Sequence, residues 1–139
     1  MSPDRPRVRV TRRLPAAIEA RMAELFDTTF SADDAQLDEA QLLAALEDQQ
    51  VLVSSITDRI DAGFLARIPR SLRLIAQFGN GYDNIDIDAA YRAGLVVTNT
   101  PSVLTEDTAD MAMVLMLSLP RRLIEGSQVL IEDGSFAGW

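Results

Sequence analysis

Leu74-Ile75-Ala76-Gln77, then Phe78-Gly79-Asn80-Gly81-Tyr82-Asp83-Asn84-Ile85-Asp86, then Ile87 to Ala93 and a closing Gly94 read as strand, loop and helix in succession. The opening run is short and apolar, the middle is punctuated by two glycines, and the final stretch returns to helical spacing before a glycine stop. Leu95-Val96-Val97-Thr98 follows at once as another compact apolar strand. Such a β-α-β unit is the repeating element of a parallel sheet.

Working outward from it, the same alternation extends toward the N-terminus. Val8–Thr11 suits a first strand, and after Pro15 the apolar positions Ala17, Ile18, Met22 and Leu25 recur at helical spacing. Thr28–Phe30 reads as a short second strand, Asp38–Gln49 as a helix carrying Ala40, Leu42, Leu43 and Leu46, and Val51–Ser54 as a third strand. Asp61–Ile68 supplies the helix before Leu74. Strands that barely alternate, separated by amphipathic helices, predict a parallel sheet covered on both faces. The expected fold is therefore α/β, a flavodoxin-like doubly wound parallel sheet of about five strands over residues 1–100.

After Asn99-Thr100-Pro101 the pattern changes. Thr105-Glu106-Asp107-Thr108 places a hydroxyl cap and early acids where a helix N-terminus uses them, so a long helix is expected to start near Thr105. From Met111 to Leu119 only Ser118 is polar, which predicts a helix buried on every side, although the run is far below the ~20 residues that span a bilayer. Pro120 should break or kink it, with the more polar Arg121–Asp133 following. Residues 101–139 are thus expected to form a helical segment whose apolar sides meet a further domain, a second subunit or both. The closing Phe136-Ala137-Gly138-Trp139 carries no stop signal and reads as a truncation.

Composition narrows the function classes. The 139 residues are 47% hydrophobic and 24% charged, enough for one globular domain and its core. The formal charge of −8 argues against nucleic acid, and Arg5, Arg7, Arg9, Arg12 and Arg13 read as a solvated border of the first strand. No cysteine is present, which excludes a thiol nucleophile, and the polar opening Met1–Pro6 has no signal-like or membrane-spanning run, so a cytoplasmic location is expected. Asp33-Asp34 reads as a solvated loop, and Asp83, Asn84 and Asp86 read as turn formers and a helix cap, not as metal ligands. Met111, Met113 and Met116 suit packing.

The glycine loop is the chemically suggestive feature. It lies at the carboxyl end of a strand, where open α/β sheets bind ligands, and two glycines around one residue can present bare N–H groups to an anion. Gly79-x-Gly81 is not the dinucleotide fingerprint, because Asn84 occupies the third glycine position and the helix does not open directly on the loop. With no lysine in the chain, a P-loop is excluded as well.

Ile75 to Asp86, Gly94-Leu95-Val96-Val97-Thr98-Asn99-Thr100-Pro101 and Val103-Leu104-Thr105-Glu106-Asp107-Thr108-Ala109-Asp110 together resemble the D-isomer-specific 2-hydroxyacid dehydrogenases, within them most nearly the glyoxylate and hydroxypyruvate reductases. A weaker likeness reaches back to Val10–Pro15. The resemblance implies an enzyme in which residues 1–100 form the substrate-binding domain and residues 101–139 lead into a Rossmann domain binding NAD or NADP. It implies that the backbone amides of Asn80 and Gly81 hold the substrate carboxylate. Phe78 and the Ser54-Ser55-Ile56 turn would shape the pocket, and Asn80 and Thr108 would approach the cofactor.

The resemblance further implies a homodimer acting on a small 2-oxo or 2-hydroxy acid. The family's catalytic arginine, and its histidine with a partner carboxylate, lie in the other domain or near its end. This chain has no histidine, so no catalytic residue is assigned within it and the chain alone is expected to be inactive. Two rival functions share features of this sequence. A phospho-receiver shares the topology but needs an aspartate ending the third strand and a lysine after the fifth, where Val53 leads into Ser54 and lysine is absent. A non-catalytic NAD-sensing or interaction module of the same family remains the alternative.

Overall fold

The structure is a computed structural model and describes residues 5–133. The polar opening at residues 1–4 and the closing Phe136–Trp139 lie outside the described residues. The chain divides into two compact units, Met1–Pro101 and Ser102–Trp139.

The first unit alternates strand and helix throughout. In order it runs β1 (Arg7–Val10), α1 (Ala16–Leu25), β2 (Asp27–Thr29), α2 (Glu39–Ala45), β3 (Val51–Ser55), α3 (Ala62–Leu65), β4 (Leu74–Phe78), α4 (Ile87–Arg92) and β5 (Val96–Thr98). All pairings are parallel and the sheet order is β2-β1-β3-β4-β5, the flavodoxin-like arrangement expected from the sequence.

Local chemistry sets the ends of the helices. Asp38 caps α2 by accepting from the Gln41 N–H at 2.8 Å while the Gln41 side chain accepts from the Asp38 N–H at 2.9 Å, a reciprocal capping box. Asp61 and Asp86 cap α3 and α4 by accepting from Phe64 and Ala89 N–H groups at 2.9 and 2.8 Å. Helix α4 stops at Gly94, whose φ of +75° is open to glycine, with Gly94 and Leu95 N–H groups returning to the Tyr91 and Ala90 carbonyls. Helices α2 and α3 are shorter than their apolar spacing predicts: α2 ends at Ala45, with the buried Leu46 just past its end, and α3 ends at Leu65.

The two faces of the sheet differ. Leu52, Ile75 and Val97 share one face in register, and Leu42 and Leu46, Phe64 and Leu65, and Ala89 and Ala90 from α2, α3 and α4 close over it as a single core. On the other face Val8 and Val10 are buried, while Val51, Val53, Leu74 and Ala76 are half-buried and Val96 is exposed. Full coverage of both faces, expected from the strands, is not reached within this unit. Right-handed crossovers in a β2-β1-β3-β4-β5 sheet put α2, α3 and α4 on one side and α1 alone on the other.

The arginine-rich border is more tied than expected. Arg12 bonds Asp34 through two guanidinium nitrogens at 3.0 and 3.2 Å, and Asp34 also accepts from the Arg13 N–H at 2.7 Å. Asp34 is thus the anchor of the loop after β2 and not merely solvated. Its carboxyl is held below the ordinary range, first by the Arg12 hydrogen bond and then by the Arg13 amide.

The second unit contains α5 (Thr105–Ser118) and α6 (Leu123–Asp133). The break falls at Pro120 as expected, but Arg121–Asp133 is largely helix, with Leu123, Ile124, Leu130 and Ile131 exposed. The hydroxyl cap expected at Thr105 is not made; Leu104 precedes the helix and forms no side-chain cap. No residue of α5 is buried. Among the described residues, no helix is long and apolar enough to cross a membrane.

Candidate functional site

The loop after β4 is held by its carbonyls. The Gly79 carbonyl accepts from the Thr100 N–H at 3.0 Å, the Asn80 carbonyl from the Asn99 side-chain amide at 2.7 Å, and the Gly81 carbonyl from the Gln77 side-chain amide at 3.2 Å. The described chain has no cis peptide. In a planar trans peptide the C=O and the following N–H point in opposite directions. Each of the Asn80, Gly81 and Tyr82 N–H groups therefore points away from the donor that holds the carbonyl before it. Successive amides aimed to one side form an anion-binding concavity.

A buried polar layer lies beneath. Gln77 is 2% exposed and Ser54 1% exposed, neighbours in register on the packed face of the sheet. The Ser54 hydroxyl donates to Gln77 Oε1 at 2.7 Å, and Gln77 Nε2 also donates to Asn84 Oδ1 at 2.9 Å. Asn84 Nδ2 then donates to the Ser55 and Asp58 carbonyls at 3.1 and 2.8 Å. Buried Asp58 closes the far side, with Oδ2 accepting from Thr11 Oγ1 at 2.5 Å and from the Ser55 N–H at 2.8 Å. Both amides are fixed in orientation, since turning either one over would set carbonyl against carbonyl. The ends of β1, β3 and β4 are thereby locked to the loop after β4.

The residues singled out from sequence separate into groups. Asn80 and Gly81 are exposed at the loop, and Phe78, at the last position of β4, is half exposed beside Ser55 in register. Ile56 is exposed on the turn after β3, and a Cβ placed on Gly79 would stand 3.0 Å from its Cγ2. Phe78, Ser55, Ile56 and the glycine loop are thus brought together. Ser54 belongs to the layer beneath, its hydroxyl committed to Gln77. Thr108 is exposed in the first turn of α5, in the second unit, with its N–H on the Leu104 carbonyl.

The glycines serve a purpose other than a left-handed turn. Among the described glycines only Gly94 has positive φ. At Gly79 the requirement is room for Ile56. Sequence reasoning missed Gln77, Asp58 and Asn99, and it read Asn84 as a turn former where its side chain also joins the buried layer. Gln77 carried a legible signal, a polar side chain at a core-facing position of an apolar strand; Asn99 carried none, because its partner lies nineteen residues away. Asp86 does cap α4 as expected. Among the described residues, no cluster of acidic side chains could hold a metal ion.

Residues 8–135 match the D-isomer specific 2-hydroxyacid dehydrogenase catalytic domain. The chain belongs to this family. A glyoxylate reductase of Korarchaeum cryptofilum is 38% identical over 135 residues, covering 97% of this chain and 40% of the relative. A glyoxylate reductase of Aeropyrum pernix is 41% identical over 122 residues, covering 87% of this chain and 36% of the relative. Among solved structures, the NADPH-dependent glyoxylate/hydroxypyruvate reductase of Sinorhizobium meliloti, in complex with NADP and malonate, superposes with a TM-score of 0.68 at 31% identity, over 95% of this chain and 41% of that one. A 2-hydroxyacid dehydrogenase of Ketogulonicigenium vulgare gives 0.72 at 28%, over 95% and 41%. The chain therefore spans about two fifths of the length of these dehydrogenases.

Proposed function

We propose that this chain is the substrate-binding portion of an NAD(P)-dependent reductase that converts small 2-oxo acids such as glyoxylate or hydroxypyruvate into D-2-hydroxy acids. The observation that supports the reading is the row of tied carbonyls at Gly79, Asn80 and Gly81 at a strand's carboxyl end, each followed by an N–H that points away from the carbonyl's donor. A carboxylate accepting from the Asn80 and Gly81 amides would form charge-assisted hydrogen bonds, stronger than neutral ones. That the Sinorhizobium reductase was solved with a dicarboxylate, malonate, agrees with this reading.

In this assignment Phe78, Ser55 and Ile56 border the substituent on the 2-oxo carbon, and Ser54 supports them from below through Gln77. The hydride comes from NAD(P)H, which Asn80 and Thr108 would approach and which residues beyond this chain would hold. The proton for the developing alkoxide also comes from beyond the chain, since the family's histidine has no counterpart here. The 139 residues alone are accordingly inactive. The apolar surface of α5 packs in the complete protein against a second copy or the cofactor domain, consistent with its exposure on every side.

The test is steady-state oxidation of NADH and NADPH by the complete protein with glyoxylate, hydroxypyruvate, pyruvate and bulkier 2-oxo acids. Turnover that falls as the 2-oxo acid grows is expected. Failure to oxidise either cofactor with any of them overturns the proposal.

A further inference from the structure

We propose that Asp58 is a positioning residue for the substituent side of the substrate pocket: its buried carboxylate fixes the Ser55–Ile56 turn, and the turn decides which 2-oxo acids fit. The inference rests on the reading that Phe78, Ser55 and Ile56 border the substituent, and extends it to a side chain beneath the pocket.

Residues Ser55 to Asp58 form the turn that leaves β3, and the Asp58 N–H closes it on the Ser55 carbonyl at 3.1 Å. Ser55 is half-buried, Ile56 and Thr57 are exposed, and Asp58, at 3% exposed, is the buried member of the turn. An exposed side chain has little packing to hold it, so the place of Ile56 is set by the backbone that carries it. That place matters, because Ile56 Cγ2 would stand 3.0 Å from a Cβ on Gly79, at the start of the glycine loop.

The carboxylate holds the turn where the pairing of β1 with β3 ends. Thr11, just past β1, donates its N–H to the Val53 carbonyl at 3.1 Å. A parallel ladder would next take the Ser55 N–H to the Thr11 carbonyl. Asp58 Oδ2 accepts that N–H instead, at 2.8 Å. The same oxygen accepts from the Thr11 hydroxyl at 2.5 Å, so one atom ties the turn to the end of β1. Asn84 holds the turn from another side, through the Ser55 and Asp58 carbonyls. Asp58 Oδ1 is buried with no hydrogen-bond partner among the described residues. A buried carboxylate with one oxygen unpaired stabilises a fold less than an apolar side chain of that size; what it supplies here is a defined direction for the Ser55 amide.

Four variants of the complete protein test this, read as the ratio of kcat/KM for glyoxylate to kcat/KM for 2-oxobutanoate. Ile56→Ala opens the pocket directly, and the loss of an apolar contact of at least a methylene group corresponds to a ratio lowered about tenfold or more. Asp58→Leu removes the acceptor at nearly constant size and should lower the ratio in the same sense, by about three- to tenfold. Thr11→Val releases one of the two donors and should give a smaller fall. Asp58→Asn keeps an acceptor oxygen for both donors and should stay within about twofold of wild type. The KM for NAD(P)H should move less than about twofold in all four, since the turn borders the substituent and not the cofactor. Because Asp58 acts through Ile56, Asp58→Leu should change the ratio no further in an Ile56→Ala background.

A purely structural role would lower thermal stability with the ratio unmoved, or would shift kcat and both KM values together. Either result in Asp58→Leu, or in Thr11→Val should Asp58→Leu fail to fold, overturns the proposal while leaving the pocket reading intact. A full Asp58→Leu effect in the Ile56→Ala background overturns it as well. If Ile56→Ala itself leaves the ratio unchanged, or the wild type turns over neither acid, the pocket reading fails and the positioning role falls with it.

Discussion

The units Met1–Pro101 and Ser102–Trp139 are both rich in apolar residues, and those residues meet opposite fates. In the first, Phe64, Leu46, Leu52, Ile60 and Ile75 are fully enclosed. In the second, Met111, Met113, Val114, Leu115, Met116 and Leu117 are all more than half exposed, and α5 buries none of them. Helix formation is local and needs only backbone bonds along one segment, so both units form helices. Burial needs a second surface shaped to receive the first. The difference teaches that helical apolar residues are enclosed in this chain only where the sheet offers a face to receive them, as it does for α2, α3 and α4.

The largest expected effect is the most direct way to break this contrast. Phe64→Ala in the chain should cost roughly 3–5 kcal/mol in denaturant unfolding, since it empties a site with no solvent exposure. Leu115→Ala, at a side chain 58% exposed, should stay within about 0.5 kcal/mol. Comparable losses would mean that α5 has a core of its own and the contrast fails.

Next in size is Asn84→Ala, which strips donors from the Ser55 and Asp58 carbonyls and leaves the Gln77 amide short of a partner. A loss of about 2 kcal/mol is expected from the unpaired groups. It sharpens the contrast by asking whether the dense unit is held by polar as well as apolar contacts. A thermal melt unchanged from wild type would remove the buried layer from the account.

A smaller effect, about 1 kcal/mol, is expected for Gly79→Ala, where the new Cβ would press on Ile56 Cγ2. Because Ile56 is exposed and can yield, Ile56→Ala in the same chain should restore most of the loss, and a double-mutant cycle measures the coupling. Strictly additive changes would show that crowding is not the reason for the glycine.

The smallest effect is electrostatic. The Asp34 and Asp61 carboxyls are both held below the ordinary value of 3.8, Asp34 first by the Arg12 hydrogen bond and Asp61 first by the Phe64 amide. A carboxyl depressed in the folded state adds stability that is complete above its unfolded value and is lost as pH falls through the folded one. Acid titration of unfolding should therefore show stability declining from just above pH 3.8 downward, with Asp34→Asn and Asp61→Asn each flattening the decline. Unaltered slopes would detach these pairs from the stability of the first unit.

Much of the fold was legible in advance. The five strands, the cap at Asp86 and the stop at Gly94 all follow from side-chain type and spacing over a few residues. The shortened α2 and α3 and the helical Arg121–Asp133 were not, because tertiary packing decides where a periodic pattern ends. Of the site, the glycine loop was legible through its position after a strand, and the roles of Asn80, Gly81, Phe78 and Ile56 came from the family resemblance. Asn99 and Asp58, and the buried bonds of Asn84, were not found, since their partners are distant in sequence and close only once the sheet has formed.

The sequence by itself determined the parallel α/β alternation, the place of the glycine loop at the carboxyl end of β4, and the unsatisfied apolar surface after Pro101. Those features depend on periodicity and on residue types that act within one or two turns of chain. Only the tertiary structure decided which donors hold the loop's carbonyls. Peptide orientation is set by what the opposite carbonyl bonds to, and here those donors, Gln77, Asn99 and Thr100, are assembled from two neighbouring strands and their ends.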